Sequence, residues 1–392
     1  MTFLLTTPLL RLVHNLFLGL LVLGLALACN RKPPAQNRLA LRLDSLRKAQ
    51  VEIKKAKIDL ILNRLQEKGL FNGNLLVMEN GEVLLHQAYG FADFRDSTRL
   101  DTQTVFSLGG ISATFTAMAI LTLVQKKRLG LRDTLGQYFP RLPYPSLRVQ
   151  QLLSHTSGLP DYVSYFYTAS SEMMTFARLQ NVLAWLENEK PNPDFAPGTD
   201  WAYSATNYVL LAALVEKITK TSFPKYLQKA VLKPLGLRRT YLPDFSQKRA
   251  FPNQAIGFQS DRKTLFHQNF LDRVYGEQGV FASTTDLLRW AKAWEKNRLI
   301  GRPLAQKAQS PTRLSGKLSY PYGWGWHLGS EFEEIYHAGG WLGFKSMLIR
   351  NPKRGRVLIL LTNHNCPVFE ELVGILRAIL DDRPFRRPSW LY

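Results

Sequence analysis

Residues 104–118 read TVFSLGGISATFTAM, a β-prone run followed by a Gly-Gly turn and the start of an apolar-periodic helix. A strand that feeds a helix through glycines is a place to mount a nucleophile, because the first amide groups of a helix lack intrahelical partners and hold an anion. Whether a nucleophile still stands on this mount decides the functional reading. Other chemistry is scarce. The seven histidines are isolated, with no H-x-x-x-H or C-x-x-C spacing, so the sequence offers no metal site and implies no cofactor. The formal charge of +21 is spread over scattered groups such as Lys54, Lys55 and Lys57, Arg238 and Arg239, Lys353, Arg354 and Arg356, and Arg383, Arg386 and Arg387. That distribution reads as a solvated basic surface with some attraction to anionic lipid or polysaccharide. Nucleic-acid binding needs a basic stripe with stacking aromatics on a recognisable module, and the sequence has none.

The elements that must position the mount follow from periodicity. With 392 residues, 45% of them hydrophobic and 11% aromatic, the chain can bury a large core, and disorder is not expected. Leu43 to about Lys68 has a helical pattern with an imperfect apolar face. Leu75–Met78 and Val83–Leu85 flank Asn80-Gly81, the dipeptide suited to a two-residue hairpin turn. The mounted helix runs to about Lys127, and residues of about 130 to 270 are mainly helical with Pro- and Gly-rich joints. Strands return near 322–328, 344–350 and 356–362, and a closing helix covers about 368–381. The pattern predicts an α/β (α+β) fold: an antiparallel sheet built from both chain ends, flanked by helices, with an inserted helical subdomain.

Six stretches fall in register with one known family. LLSHTSGLPDY (152–162), FAPGTDWAYSATNYVLL (195–211), KPLGL (233–237), VFASTTDLLRW (280–290), YGWGW (322–326) and HAGGWLGF (337–344) resemble the serine β-lactamase and penicillin-binding protein superfamily. The branch is that of the class C β-lactamases with their esterase and D-amino-acid peptidase relatives, over roughly residues 57–381. The resemblance implies a serine and lysine at S-x-x-K spacing, a Y-x-N or S-x-N element, and a K-T-G or H-x-G element on a strand. Residues three apart on a helix share a face, so the amine can deprotonate the hydroxyl while helix and strand amides hold the oxyanion. On this chain the serine position is Gly110, the lysine position is Ala113, and the asparagine position is Ala205 after Tyr203-Ser204. The third element stands as His337-Ala338-Gly339, with Gly340 placed to give the strand-side oxyanion N–H.

The mount is therefore kept and the nucleophile is gone. Ser112 does not replace it, because a two-residue step turns about 200° around the helix. Ser45/Lys48, Ser222/Lys225 and Ser260/Lys263 also have the S-x-x-K spacing, but they lie in the basic helix, across Pro224, and in a polar loop. Asn207 lies two residues past Ala205 and fits a capping or turn role; His155 fits loop fixing. Without a neighbouring cation, the Tyr203 hydroxyl is expected to titrate near its ordinary value of about 10. His337 is expected either to orient a ligand carboxylate or to serve as a satisfied polar group. The emptied site, lined by Gly110, Gly339 and Gly340 and flanked by Tyr203 and His337, is expected to be a cavity that favours a carboxylate, and the resemblance implies that this belongs to a peptide or a peptidoglycan-derived ligand.

The N-terminal segment sets the expected compartment. Leu16 to Ala28 is an uncharged apolar run of signal-peptide length after Arg11, and Cys29 follows Ala26-Leu27-Ala28. Residues 1–28 are read as a lipoprotein-type signal with Cys29 lipidated, or alternatively as an uncleaved anchor. Residues 29–56 are a tether and the start of the first helix, 57–381 the β-lactamase-related domain with its helical subdomain at about 130–270, and 382–392 a basic tail. Two functions remain open. One is a catalytically inactive envelope lipoprotein, exported and membrane-anchored, that binds a ligand. The other is an active serine-hydrolase-type enzyme, a β-lactamase, D-Ala-D-Ala carboxypeptidase or esterase, whose nucleophile is unconventional or experimentally removed.

Overall fold

The computed structural model describes residues 35–169, 176–243, 252–266, 269–315, 322–329, 333–386 and 388–391. The signal segment, Cys29, the Pro33-Pro34 tether and Arg387 lie outside the described residues. The chain divides into two units, residues 1–56 and 57–392. The described part of the first is the leading portion of helix α1 (Ala35–Glu67). This helix begins well before the expected Leu43. Its leading turns are rich in Ala, Leu, Arg and Gln, good helix formers, while Leu39, Leu41, Leu43 and Leu46 stay exposed, so propensity rather than packing sets the extension. Further along α1, Ile58, Ile61, Leu62 and Leu65 are buried in the second unit.

In that unit the sheet is closed by the two chain ends, as the strand pattern predicts. Its strands are β1 (Gly73–Glu79), β2 (Glu82–Tyr89), β8 (His327–Leu328), β9 (Ile335–Trp341), β10 (Phe344–Asn351) and β11 (Arg356–Thr362), in the spatial order β2-β1-β11-β10-β9-β8 with antiparallel pairing. Asn80 and Gly81 turn the first hairpin with φ of 53° and 84°, both in the left-handed region that this dipeptide tolerates. The pair β3 (Phe91–Asp93) and β4 (Thr98–Arg99) forms a small ribbon, and β5 (Phe106–Ser107), β7 (Phe281–Ala282) and β6 (Thr240–Tyr241) make a second short sheet. Only the end of the expected 322–328 strand is extended. Gly323 passes so close to the Ala308 carbonyl that a Cβ would lie 2.2 Å from it, and Gly325, with φ of 76°, turns the chain against the helix below.

That helix, α2 (Ser112–Gln125), is buried all round from Ser112 to Leu123, including Ser112, Thr114, Thr116 and Thr122, and so more completely than its apolar periodicity implies. It packs on α3 (Ala205–Thr219), and Phe115 stacks on Trp290 of α4 (Thr284–Glu295) with centroids 4.1 Å apart. Helix α5 (Phe369–Leu380) closes the chain with an apolar face, near the predicted 368–381.

Candidate active site

The start of α2 and the second half of β9 meet through glycines. A 3-10 turn, Gly109–Ile111, leads into α2. A Cβ on Gly109 would lie 2.6 Å from the Gly340 nitrogen, and one on Gly339 would lie 2.0 Å from the Leu108 carbonyl and 2.8 Å from the Gly110 nitrogen. Such an approach excludes any side chain. Ser346 Oγ, on β10, fastens the contact by donating to Leu108 O at 2.7 Å. The β9–β10 hairpin turns through Leu342 and Gly343, with φ of 45° and 85°, so Trp341 and Phe344 pair across a two-residue loop. Residues flanking such a loop exchange their hydrogen bonds, and the N–H of the next residue out, Gly340, therefore points away from β10 toward the helix start. The Gly110 and Gly340 amides are thus placed to share one acceptor.

The pattern of expected strands omits β9, and the two glycines that carry its function explain this. Ala338-Gly339-Gly340 has low strand propensity and little side-chain alternation, so only the family resemblance places His337 on a strand.

Around residue 110 the site is not the open cavity the sequence suggests. Ala113 is wholly buried in the core, and Ala205 is 2% exposed with its N–H donating to Asp161 Oδ2 at 2.8 Å. The room left by the truncated side chains is shared with a residue that the motifs do not contain. Glu277 Oε1 accepts a hydrogen bond of 2.7 Å from the Tyr203 hydroxyl and lies 3.4 Å from where a Cβ on Gly110 would start. Burial pushes the Glu277 carboxyl up to about 7, with Asp161 adding to the rise and the Tyr203 bond opposing it. Tyr203 does not titrate near its ordinary value. Burial of its hydroxyl end and the Glu277 carboxylate hold it well above 10, although the residue keeps 38% of its surface exposed at the mouth of the site.

His337 and His155 are neutral at neutral pH. His337 is 3% exposed, and burial, with help from the nearby His327, lowers it to about 3. Its Nδ1 donates to Ala338 O at 2.6 Å, which fixes the proton there and leaves Nε2 as an acceptor without a partner among the described residues. An acceptor cannot orient a carboxylate, so His337 is suited to a ligand donor or to water. His155 fixes a loop, as expected: at φ of 54° and fully buried, its Nδ1 accepts from Ser204 N at 3.2 Å and Asn207 Nδ2 at 3.1 Å, and its ring stacks on Tyr203. Asn207 is structural, tied also to Ser157 Oγ at 2.6 Å.

The Beta-lactamase family profile matches residues 58–380. The chain belongs to the Beta-lactamase family. It is 32% identical over 326 residues to penicillin-binding protein 4* of Bacillus subtilis (strain 168), spanning 79% of this chain and 72% of that one. It is 27% identical over 335 residues to Protein flp of Staphylococcus aureus (strain COL), spanning 82% of this chain and 66% of the relative. In fold it is similar to the octameric penicillin-binding protein homologue from Pyrococcus abyssi, with TM-score 0.72, 21% identity, and coverage of 84% of this chain and 77% of that one. The D-amino acid amidase from Ochrobactrum anthropi SV3 superposes with TM-score 0.67 at 19% identity over 85% of this chain and 99% of that one.

Within this Beta-lactamase-family domain, Glu277 is held by α2 itself. Thr116 Oγ1 donates to Gly276 O at 2.5 Å, and Ser112 Oγ accepts from Val280 N at 3.0 Å. These hydroxyls are four residues apart on one helix face and clamp both ends of the short segment that carries Glu277. Ser112 is thereby occupied and turned from the nucleophile position. A Cβ on Gly276 would lie 2.2 Å from Tyr208 O, so the segment also threads tightly past α3. The signal that could have found Glu277 is the string Tyr275-Gly276-Glu277-Gln278-Gly279, a carboxylate between two glycines just before the VFASTT motif.

Arg238 and Arg239, with the exposed Lys225, Lys229 and Lys233, line a cavity of about 1430 Å³ whose lining also includes the stacked pair Tyr241 and Phe281. Cys366 is buried, its thiol donates to Leu70 O at 3.1 Å, and burial pushes it up to about 11, which makes it unreactive at neutral pH.

Proposed function

We propose that the chain is an exported, lipid-anchored envelope member of the Beta-lactamase family that does not form a serine acyl-enzyme and binds the acyl or carboxyl end of its ligand reversibly. The observation that carries this reading is the composition of the site at residue 110. The two amides of Gly110 and Gly340 remain, while an acid, Glu277, stands 3.4 Å from the point where the attacking side chain would begin. Removing the nucleophile from such a unit typically costs on the order of a million-fold in turnover by the serine route. Ligands consistent with the family are carboxylate-bearing peptides, including peptidoglycan-derived ones, and the D-amino acid amidase relative adds small amino-acid derivatives to that class. A carboxylate enters best when Glu277 is protonated, since two like charges cannot share the site.

Incubation of the purified chain with a fluorescent penicillin, read by denaturing gel and intact mass, is expected to give no adduct. Calorimetric titration with a D-Ala-D-Ala peptide is expected to show weak binding that a Gly110→Trp variant abolishes. An adduct on any serine overturns the reading, as does equal binding by the blocked variant. The apolar run Leu16–Ala28 ending at Cys29 supports export and lipidation. In fractionated bacterial cells, Cys29→Ala is expected to release the protein from the membrane, and equal retention of both forms counts against lipidation.

A further inference from the structure

The position over Gly110 that a side chain would take is bounded by groups of two kinds. On one side are two hydrogen-bond donors, the Gly110 and Gly340 amides. On the other are acceptors: Glu277 Oε1 is 3.4 Å, and Ala338 O 3.0 Å, from the position a residue-110 Cβ would take, and the His337 Cε1 beside Nε2 is 3.1 Å from it. His337 is nearly fully buried, its Cε1 borders that position, and its Nε2 has no partner among the described residues, so a buried acceptor beside the site is left for a ligand or reactant to satisfy. Water is the molecule whose two hydrogens such a pair of acceptors can take while its lone pair faces a carbonyl carbon. Glu277 is also rigidly presented, because Thr116 and Ser112 clamp its segment and Tyr203 fixes its Oε1.

We propose that Glu277 is a general base that activates a water over Gly110, so that the chain hydrolyses a carboxylic ester by direct water attack. This inference rests on the reading that no serine acyl-enzyme forms. The Glu277 carboxylate takes one proton from the water while His337 Nε2 accepts the hydrogen bond of the other. The water oxygen bonds to the ester carbon, and the carbonyl π pair moves to the oxygen held by the Gly110 and Gly340 amides. Collapse of that tetrahedral species breaks the bond to the alkoxy oxygen, and the proton carried by Glu277 goes to the departing alcohol. Products are a carboxylic acid and an alcohol, with no other reactant consumed. An ester is the fitting class because an alkoxy group leaves a tetrahedral species more readily than an amide nitrogen, which must be protonated before its bond to carbon breaks.

The base is matched to neutral pH. The groups that face it are Tyr203 before α3, Asp161 and Tyr162 at the start of the helix Tyr162–Ala169, Tyr322, and His337 on β9. Of the neighbours, burial holds Tyr162, Tyr203 and Tyr322 far above neutral and His337 far below it, so the limb of a rate profile near 7 belongs to Glu277.

The test uses the purified full chain with p-nitrophenyl butyrate. Turnover above buffer is expected, without a burst, and rising with pH through about 7. Glu277→Gln, which can still accept from Tyr203, is expected to lose about a hundred-fold or more, and Glu277→Asp to keep part of the rate. Melting temperatures establish that the variants are folded. A parent no faster than buffer, or a folded Glu277→Gln variant as fast as the parent, overturns the inference. In that event unchanged binding of the D-Ala-D-Ala peptide leaves the reversible-binding reading standing, whereas an acyl adduct by mass overturns that reading itself.

Discussion

The two sides of the site have fared differently. The strand side keeps its motif, His337-Ala338-Gly339-Gly340, and with it the backbone amide aimed at the helix start. The helix side keeps its backbone and carries Gly110, Ala113 and Ala205 at the positions where the resemblance implies serine, lysine and asparagine. On that reading the three differences all fall on side chains, while the main-chain geometry stands. Main-chain donors belong to the packing of α2 against β9, so they persist as long as the fold does. Side-chain groups carry no such obligation.

The strand side can be broken at one atom. Gly339→Ala would drive a Cβ to 2.0 Å from the Leu108 carbonyl, a backbone atom that cannot swing away. The expected cost is about 3 kcal/mol or more, seen as a clear fall in melting temperature together with loss of ligand binding. A variant as stable as the parent would mean that the α2–β9 contact is looser than the glycines indicate.

The helix side should reveal itself through pH. Glu277 is raised from 4.5 to about 7, so the folded state holds its proton more tightly than the unfolded chain does. Its contribution is fully present below pH 4.5 and is lost as pH rises through 7. Discounted for its partial exposure to solvent, the loss is about 2 kcal/mol. His155 and His337, both lowered to about 3, act oppositely: they favour the fold above 6.5 and lose that contribution as pH falls toward 3. Urea denaturation of the parent and of Glu277→Gln at several pH values isolates the first effect, because the histidines are common to both. Parallel curves would mean that Glu277 titrates normally.

Restoring the serine alone should not restore acylation. In Gly110→Ser the new Cβ would meet Ala338 O at 3.0 Å, His337 Cε1 at 3.1 Å and Glu277 Oε1 at 3.4 Å, so a cost of about 1 kcal/mol is expected. The lysine position remains Ala113, buried in the core, so the hydroxyl gains no amine base. Fluorescent penicillin should still fail to label this variant, and stable labelling would show that Glu277 can serve as the base for a serine.

Much of this was legible in the sequence where local chemistry decides structure. Asn80-Gly81 needs only its own backbone preference to turn a hairpin, and the helix after Gly110 announces itself by its apolar periodicity. The vacancy of the three motif positions can likewise be read directly from Gly110, Ala113 and Ala205. Glu277 could not be read in that way. Its role comes from a carboxylate brought across the fold by a segment clamped to Thr116 and Ser112, and no spacing along the chain links it to residue 110. β9 was illegible for a related reason: it is held by register with β10 and by the close approach of Gly339 to Leu108, not by the β-branched residues that mark a strand.

The smallest expected effect concerns the one retained side chain that touches the new acid. Tyr203 donates to Glu277 Oε1 at 2.7 Å, and that bond favours the charged carboxylate. Tyr203→Phe removes the donor and leaves the ring stacked on His155, so stability should change by less than about 1 kcal/mol. The titration of Glu277 should move further up, by about half a unit to one unit, since a hydrogen bond of that net strength corresponds to such a shift. If a carboxylate ligand binds as proposed, it enters beside a protonated Glu277, so its affinity should fall with rising pH in both proteins, with the midpoint displaced upward in Tyr203→Phe. Calorimetric titration with a D-Ala-D-Ala peptide across pH 5.5 to 8.5, a range of about three units around the expected midpoint, measures both curves. Coincident midpoints would show that Tyr203 does not set the charge of Glu277, and the tyrosine would then be a packing partner of His155 alone.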